Sequence, residues 1–400
     1  MIPRRRSHIT LYDLRVAAGA LLSRKQDASL VAEWENAFAR YVGMRHAVAV
    51  GSGRQGMSAV LESLGLRRGD EVIIPAYTLK ALLGIIQSLG LVPVPADIER
   101  NSFNIDPASV REKITPRTRV ILATHIFGNP CDIERIVTIA RERSIIVLED
   151  CAHAAGSAIG ARKAGTFGDA AFFSFETIKP INTYGGGMVV TDNDALAGRV
   201  RAVSGAGAQG RQAFPFKKLI SACCENIFLP TPLAFLPLYL LSLPATSKAI
   251  YSFYRRSQRG SGRRCVYTFY QSRIGIRKLA GLEQRIALRR EKGELLKTLL
   301  PRSVIPQQIR PGASANYYFF TALLPSEASV ARQALLRHGI DAGVQAEIAD
   351  NCAGADSCPV MQDVFRRIIQ LPLYEGITER QLGSIGKALG KLFKDENIAD

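Results

Sequence analysis

None of the seven cysteines, Cys131, Cys151, Cys223, Cys224, Cys265, Cys352 and Cys358, stands at a spacing that pairs it for zinc or for a disulfide framework. That absence argues against a small stapled fold and for a reducing, cytoplasmic setting. No metal site is legible. The basic start, Met1 to Arg6, lacks the apolar core that would follow it in a signal peptide. Negative charge is also scarce: 35 Asp and Glu face 52 Lys and Arg, leaving a net charge of +17. Such a field favours anionic partners, whether nucleotide-linked substrates, acidic lipid surfaces or nucleic acid. Nucleic acid falls behind the other two, because no zinc finger, RNA-binding signature or aromatic-laced basic helix accompanies the charge.

What is there suits a large α/β protein. With 400 residues, 47% hydrophobic and 22% charged, the chain has material for a sizeable core and two domains. Strand-like runs at His46–Val50, Glu71–Ile74, Leu91–Asp97, Arg119–Thr124, Ile145–Leu148, Ala170–Phe175 and Gly187–Thr191 alternate with helical stretches. That alternation predicts a doubly wound, mostly parallel seven-stranded sheet. Gly51 to Gly56 matches the dinucleotide fingerprint, but the next strand runs into Pro75-Ala76-Tyr77-Thr78 instead of ending on an acid. A dinucleotide site is therefore not expected. A glycine turn entering a helix N-terminus still makes a seat for phosphate. Further on, residues 272–300 read as one long charged helix, Tyr317–Leu324 as a strand, Ser329–His338 as a helix and Ile368–Tyr374 as a strand. Thr378 to Gln381 forms a capping box for a last helix.

The central stretch, residues 145–191, carries the chemistry. Ile145–Leu148 ends on Glu149 and Asp150, and Ala170–Phe175 leads through Ser174 to Lys179. Gly185-Gly186-Gly187 then opens a third run. Functional groups at the C-terminal ends of such strands are how an open parallel sheet builds a site. An acid on one strand end and a lysine past another suit pyridoxal 5'-phosphate. Its ring nitrogen needs a carboxylate to stay protonated, and its aldehyde needs an amine to bond.

Three segments then resemble one family. Glu149-Asp150-Cys151-Ala152-His153-Ala154-Ala155-Gly156, Phe173-Ser174-Phe175 with Lys179, and the glycines before Val189-Val190-Thr191 are similar, in order and spacing, to the DegT/DnrJ/EryC1/StrS sugar aminotransferases. These are fold type I pyridoxal phosphate enzymes. The likeness covers residues 30–200 well and returns at Gln370-Leu371-Pro372-Leu373-Tyr374. It implies Lys179 as the catalytic lysine, which also moves protons, and Asp150 as partner of the ring nitrogen. It implies His153 beside the ring, Ser174 on the cofactor phosphate, and Gly53 with Arg54 at the phosphate turn. A guanidinium at Arg54 there replaces the usual threonine hydroxyl. The resemblance also implies a large cofactor-binding domain over 1–213 with an N-terminal helical segment. A linking helix and a small C-terminal α+β domain would occupy 266–400.

Departures accompany the likeness. Leu79 stands where the family has an aromatic stacking on the ring, with Tyr77 two residues away. Tyr184 precedes the glycines where a G-E-G-G cluster is usual. The segment donating an asparagine from the partner subunit is not recognisable near Tyr270 to Ser272. Residues 214–265 break the pattern altogether. Asn226 to Ser247 is uncharged and holds Pro230, Pro232, Pro237 and Pro244, and Arg255, Arg256, Arg259, Arg263 and Arg264 follow. Four prolines argue against a regular spanning helix. A buried connection or subunit contact, and a membrane-surface patch with arginines on anionic headgroups, both remain open over 226–264.

The resemblance implies an aminotransferase moving an amino group from an amino acid, with glutamate the expected donor, to a keto-sugar carried on a nucleotide. It implies a homodimer with sites between subunits; the cysteine spacing points to the cytoplasm, and a membrane-surface patch over 226–264 would add the inner face of the membrane. A sugar dehydratase of the same family has histidine in place of the lysine, so Lys179 argues against that reaction. The competing reading from another class is a non-catalytic, membrane-associated scaffold in glycan biosynthesis.

Overall fold

The computed structural model describes residues 1–22, 29–206, 214–243, 265–353 and 357–393. Its main sheet has seven strands: β1 (His46–Val50), β2 (Glu71–Pro75), β3 (Val92–Ala96), β4 (Thr118–Thr124), β5 (Ile146–Asp150), β6 (Ala170–Ser174) and β7 (Gly187–Thr191). They lie in the order β1-β7-β6-β5-β4-β2-β3. Neighbours from β3 to β6 pair in parallel, and β7 runs against both β6 and β1. Apart from the edge strand β3, whose Val92 is 43% exposed, the strands are mostly buried, as apolar runs covered by helices on both faces must be. One consequence positions the site: β5 and β6 are parallel neighbours, so Asp150 and Ser174 both emerge at the same edge of the sheet.

A second sheet is built from later chain: β8 (Ile305–Pro306), β9 (Phe320–Leu323), β10 (Gly343–Val344) and β11 (Ile368–Leu371), ordered β8-β9-β11-β10 and wholly antiparallel. The expected strand at Tyr317–Leu324 starts later, because Tyr317 takes a positive φ of 50° that no ladder accommodates. Helix α1 (Leu11–Leu22) had no counterpart in the sequence reading, and α2 (Ser29–Val42) and α3 (Gly53–Ser63) follow it. The single helix expected over 272–300 is two, α6 (Phe269–Ala280) and α7 (Leu282–Leu299), parted at Gly281, a residue of low helix propensity. Before them, α4 (Phe216–Phe228) and α5 (Phe235–Ser242) flank the Pro230–Pro232 break and meet at 104°. Pro237 is tolerated because it sits in the first turn of α5, where its lost N–H has no helical acceptor. The rest of the expected insertion, including its arginine run, lies outside the described residues. The capping box at Thr378 and Gln381 forms as read and opens α8 (Glu379–Leu392).

The first residues tie these parts together. Ile2 pairs alongside Ile340, with Ile2 N–H donating to Gly339 O (2.8 Å) and Asp341 N–H to Ile2 O (2.9 Å). Arg4 bridges to Asp341 (3.1 Å) and to Glu347. Arg5 reaches Glu225 of α4 (3.3 Å), and Ser7 exchanges hydrogen bonds with the Asn226 side chain (3.0 and 2.8 Å). This strap crosses from the small sheet to α4.

Candidate functional site

The site forms where the C-terminal ends of β5 and β6 meet the start of α3. Asp150, 6% exposed, closes β5, and one of its oxygens accepts the Ala152 N–H (2.9 Å). Burial lifts its carboxyl above the ordinary aspartate range, while the Ala152 N–H and the charge of Lys179 pull the other way. A buried carboxylate without an ion-pair partner among the described residues is costly. A protonated ring nitrogen would supply the missing counter-charge.

Lys179 lies in the loop after β6, its N–H donating to Glu176 O (2.9 Å) and its Nζ 4.4 Å from the centre of the Tyr318 ring. Burial is the main reason its amine is pushed down to about 7. Arg5 adds to this, and Asp150 and Glu176 oppose it. His153 is 8% exposed and stacks on the same Tyr318 ring at 4.3 Å, and its Nδ1 accepts the Phe127 N–H (3.2 Å). Burial, then the charge of Lys179, drives its pKa well below the ordinary histidine value, so the ring is neutral. Lys179 and His153 thus converge on Tyr318, a residue the sequence reading did not single out.

The turn expected to hold phosphate is built by contact between distant pieces. Ser52 caps α3, its Oγ accepting the Gln55 N–H (3.2 Å). A Cβ on Gly53 would lie 3.0 Å from the Ser174 Cβ and 3.2 Å from Phe173 O. Gly186 pairs alongside Ser52, and a Cβ there, at φ 90°, would fall 2.1 Å from the Tyr267 ring. The positive end of α3, the strand end at Ser174 and the glycine loop are therefore packed against one another, an arrangement of donors suited to an anion. Arg54 stands half-buried in the first turn of α3. Gly53→Ala is expected to weaken pyridoxal phosphate retention at least about tenfold by crowding this seat, with folding preserved. Equilibrium dialysis of the variant against wild type checks it, and unchanged affinity would remove the seat from this place.

Other residues hold the frame. Glu149, fully buried, accepts four donors: Phe167 and Gly168 N–H on Oε1 (both 2.7 Å), and Gly165 N–H (2.8 Å) and His125 Nε2 (2.9 Å) on Oε2. His125 Nδ1 accepts the Cys131 N–H (3.1 Å), which fixes the Nε2–H tautomer. Cys151 lies close to both, but donors already occupy Glu149, which opposes a cation there. Below the glycine loop, Lys278 pairs with Asp13 (2.8 Å), both side chains at 1% exposure or less, and Tyr184 donates to the same carboxylate (2.7 Å). Tyr184, which precedes the glycines, is thereby an anchor. Tyr77 is not a substitute for a ring-stacking aromatic at Leu79. It is fully buried against Phe127 (5.9 Å) and Phe365 (6.2 Å), whereas Leu79 is 40% exposed.

Of the predicted residues, Asp150, His153, Ser174, Lys179, Gly53 and Arg54 come to this one edge of the sheet. Asp150, Lys179, Ser174 and the α3 terminus fit pyridoxal phosphate: a carboxylate for the ring nitrogen, an amine, and a built anion seat. Arg5 and Tyr318 were missed. Arg5 belongs to a run of three arginines with no periodic pattern, and Tyr318 to a four-residue aromatic run that reads as core.

The sequence profile described as the DegT/DnrJ/EryC1/StrS aminotransferase family matches residues 23–390. GDP-perosamine synthase of Caulobacter vibrioides is 38% identical over 186 residues, 46% of this chain and 50% of that one. Spore coat polysaccharide biosynthesis protein SpsC of Bacillus subtilis is 39% identical over 174 residues, 44% and 45% of the two chains. The chain thus spans about half the length of the curated relatives it matches. The aminotransferase TlmJ from Streptoalloteichus hindustanus superposes with a TM-score of 0.78 at 22% identity, covering 98% of this chain and 100% of that one, a likeness of fold.

Proposed function

The chain belongs to the DegT/DnrJ/EryC1/StrS aminotransferase family, and from that membership we propose that it moves an amino group from an amino acid, glutamate as the expected donor, to a keto-sugar carried on a nucleotide. The observation that carries the reading is Lys179: an amine held near neutrality, in the field of the buried carboxylate Asp150, beside a seat for phosphate. Pyridoxal phosphate, when bound, supplies an aldehyde to take up the amino group and a ring to accept the electron pair of the neighbouring C–H bond. Asp150 would hold the proton at the ring nitrogen. Ser174 and the α3 N-terminus would hold the phosphate, and neutral His153 would offer the ring a hydrogen bond without competing charge. Lys179 would carry the proton between substrate carbon and cofactor carbon, a task for a base whose pKa lies close to the working pH.

The same proposal includes a homodimer with sites between subunits, and a place in the cytoplasm against the inner face of the membrane. A nucleotide-linked acceptor suits a chain of net charge +17. Relatives whose names tie them to perosamine on GDP and to spore coat polysaccharide favour this acceptor class. Nothing in the site favours the scaffold reading, since its chemical groups stand together.

The pH dependence follows from the lowered lysine. Neutral amine should rise from about a tenth at pH 6 to about nine-tenths at pH 8, where an ordinary lysine would remain almost wholly charged. Capture of added pyridoxal phosphate, fixed by borohydride and located at Lys179 by mass spectrometry, should therefore increase through a midpoint near 7. A midpoint near 10 would contradict the assignment. The activity itself is tested by supplying glutamate and a panel of nucleotide-linked keto-sugars and looking for 2-oxoglutarate with the amino-sugar. Glutamate conversion without any acceptor product would overturn the sugar, and no conversion would overturn the reaction.

A further inference from the structure

The face made by α4 and α5 has no role in the site. Its outward side chains are aliphatic and strongly exposed: Ile220 59%, Ile227 74%, Leu233 75%, Leu236 61% and Leu240 47%, with Phe228 at 42%. The inner side is anchored, since Leu219 and Ala222 of α4 pack with Val16 and Ala17 of α1, and Leu238 of α5 packs on Leu336. A docked helix pair that still leaves this much apolar surface to water has an unmet partner.

Charge identifies the partner's class. Between Glu225 and Glu283 the sequence has no acid at all, and nine lysines and arginines fall in that interval. Within the described part, Arg273 and Arg277 of α6 and Arg15 of α1 line a cavity of about 930 Å³ together with Lys278 and Arg285. No carboxylate lines it. Arg15, Arg273 and Arg277 are exposed and make no ion pair among the described residues. This cavity adjoins the apolar face through a shared cluster, in which α1, α4 and α6 pack on one another. Leu11, 73% exposed, lies at the cavity's rim.

We propose that α4 and α5 form an in-plane membrane anchor that seats the protein on an anionic bilayer, with lipid phosphates taken by the arginines beside it. Length decides between lying and spanning. Among the described residues no single helix is long and apolar enough to cross a membrane, and the pair is bent by 104°. At 1.5 Å per residue the two helices reach only about 20 and 12 Å, short of a hydrocarbon core of about 30 Å. Each is long enough to sink one face into the boundary between headgroups and acyl chains, where cations beside it gain from anionic lipid. A second copy of the chain is the weaker occupant. A two-fold contact would set this cation-rich surface, where Glu225 of α4 is already paired with Arg5, against itself, cations facing cations. The inference stands on surface composition and does not require the aminotransferase reading.

Flotation of the purified full chain tests it, with vesicles of phosphatidylcholine alone and with phosphatidylglycerol added, at low and high salt. The protein should float with the anionic vesicles at low salt, and binding should fall at least about tenfold on pure phosphatidylcholine or in high salt. Leu233→Asp with Leu236→Asp should abolish flotation. Arg273→Gln with Arg277→Gln, made away from the apolar side chains, should weaken it and flatten the salt dependence while the circular dichroism spectrum stays native. Failure to float on anionic vesicles at low salt overturns the proposal. So does flotation of the leucine variant at the wild-type level. A leucine variant that loses oligomer mass by light scattering would assign the face to a second copy instead.

Discussion

Replacing Lys179 by Ala should leave a protein that folds and binds pyridoxal phosphate but turns over glutamate at least about a thousandfold more slowly. Two contributions are lost together: the amine that bonds the aldehyde, and the base that carries the proton, worth a factor of about 10² to 10⁴ by itself. The fold should survive because Lys179 is half-buried in a loop and makes no ion pair among the described residues. Removing a desolvated amine also relieves a cost, since its pKa of about 7 records how poorly the folded site tolerates the charge. Absorbance is the direct measurement. With added cofactor the wild type should show a band above roughly 400 nm that glutamate bleaches. The variant should lack both the band and the bleaching. A variant that still bleaches with glutamate would mean that another amine does the work, and a wild type that stays colourless with added cofactor would favour the scaffold reading.

The second large effect is on stability. Glu149→Gln should lower the free energy of unfolding by about 3–5 kcal/mol, because a buried charge network loses one member while its partners stay buried. Three backbone N–H groups and His125 Nε2–H all aim at the two carboxylate oxygens. A carboxamide can offer only one oxygen, and its NH2 would confront donors. Burial alone would raise the Glu149 pKa, but His125 and the N–H groups outweigh it, so the folded value lies below the ordinary one. By sign, this contribution is complete above the unfolded glutamate range and is lost as pH falls through the lower folded value. The urea midpoint at neutral pH, compared with wild type, checks the size. A change below about 1 kcal/mol would show that the four hydrogen bonds are incidental. Because the 165–168 turn leads into β6 and Ser174, the variant should also hold cofactor phosphate less well.

Much of this architecture could be read beforehand, and the reason is local. Buried parallel strands are short unbroken apolar runs. Asp150, Ser174 and Lys179 follow such runs, and Gly53 opens a helix, so each was marked by its immediate neighbours. What escaped depends on partners far away in the chain. Glu149 looked like the companion of Asp150 and proved to be the clamp of a turn 16 to 19 residues on. Tyr184 looked like a degraded motif until Asp13, 171 residues earlier, supplied its acceptor. Helix α1 was unread because its apolar residues serve two sides, Val16 and Ala17 inward and Leu11 and Leu21 outward, which blurs any single stripe. Tyr77 sat close to Leu79 in sequence, yet its ring packs against Phe127 and Phe365 while Leu79 stands exposed at the start of the next helix.

The strap of residues 2–7 has a further consequence, in the order of events during synthesis. Arg4 leaves the ribosome first, but its acceptors Asp341 and Glu347 follow 337 and 343 residues later. At about 5–20 residues per second those partners arrive roughly 20–70 seconds after Arg4. Arg5, one source of the field on Lys179, gains Glu225 of α4 after 220 residues, and for the rest of that interval has no small sheet behind it. The large sheet can assemble before the small sheet is made, whereas the surroundings of the strap are complete only once Asp341 and Glu347 have followed. A nascent or C-terminally truncated chain would thus carry the same lysine with a more ordinary basicity.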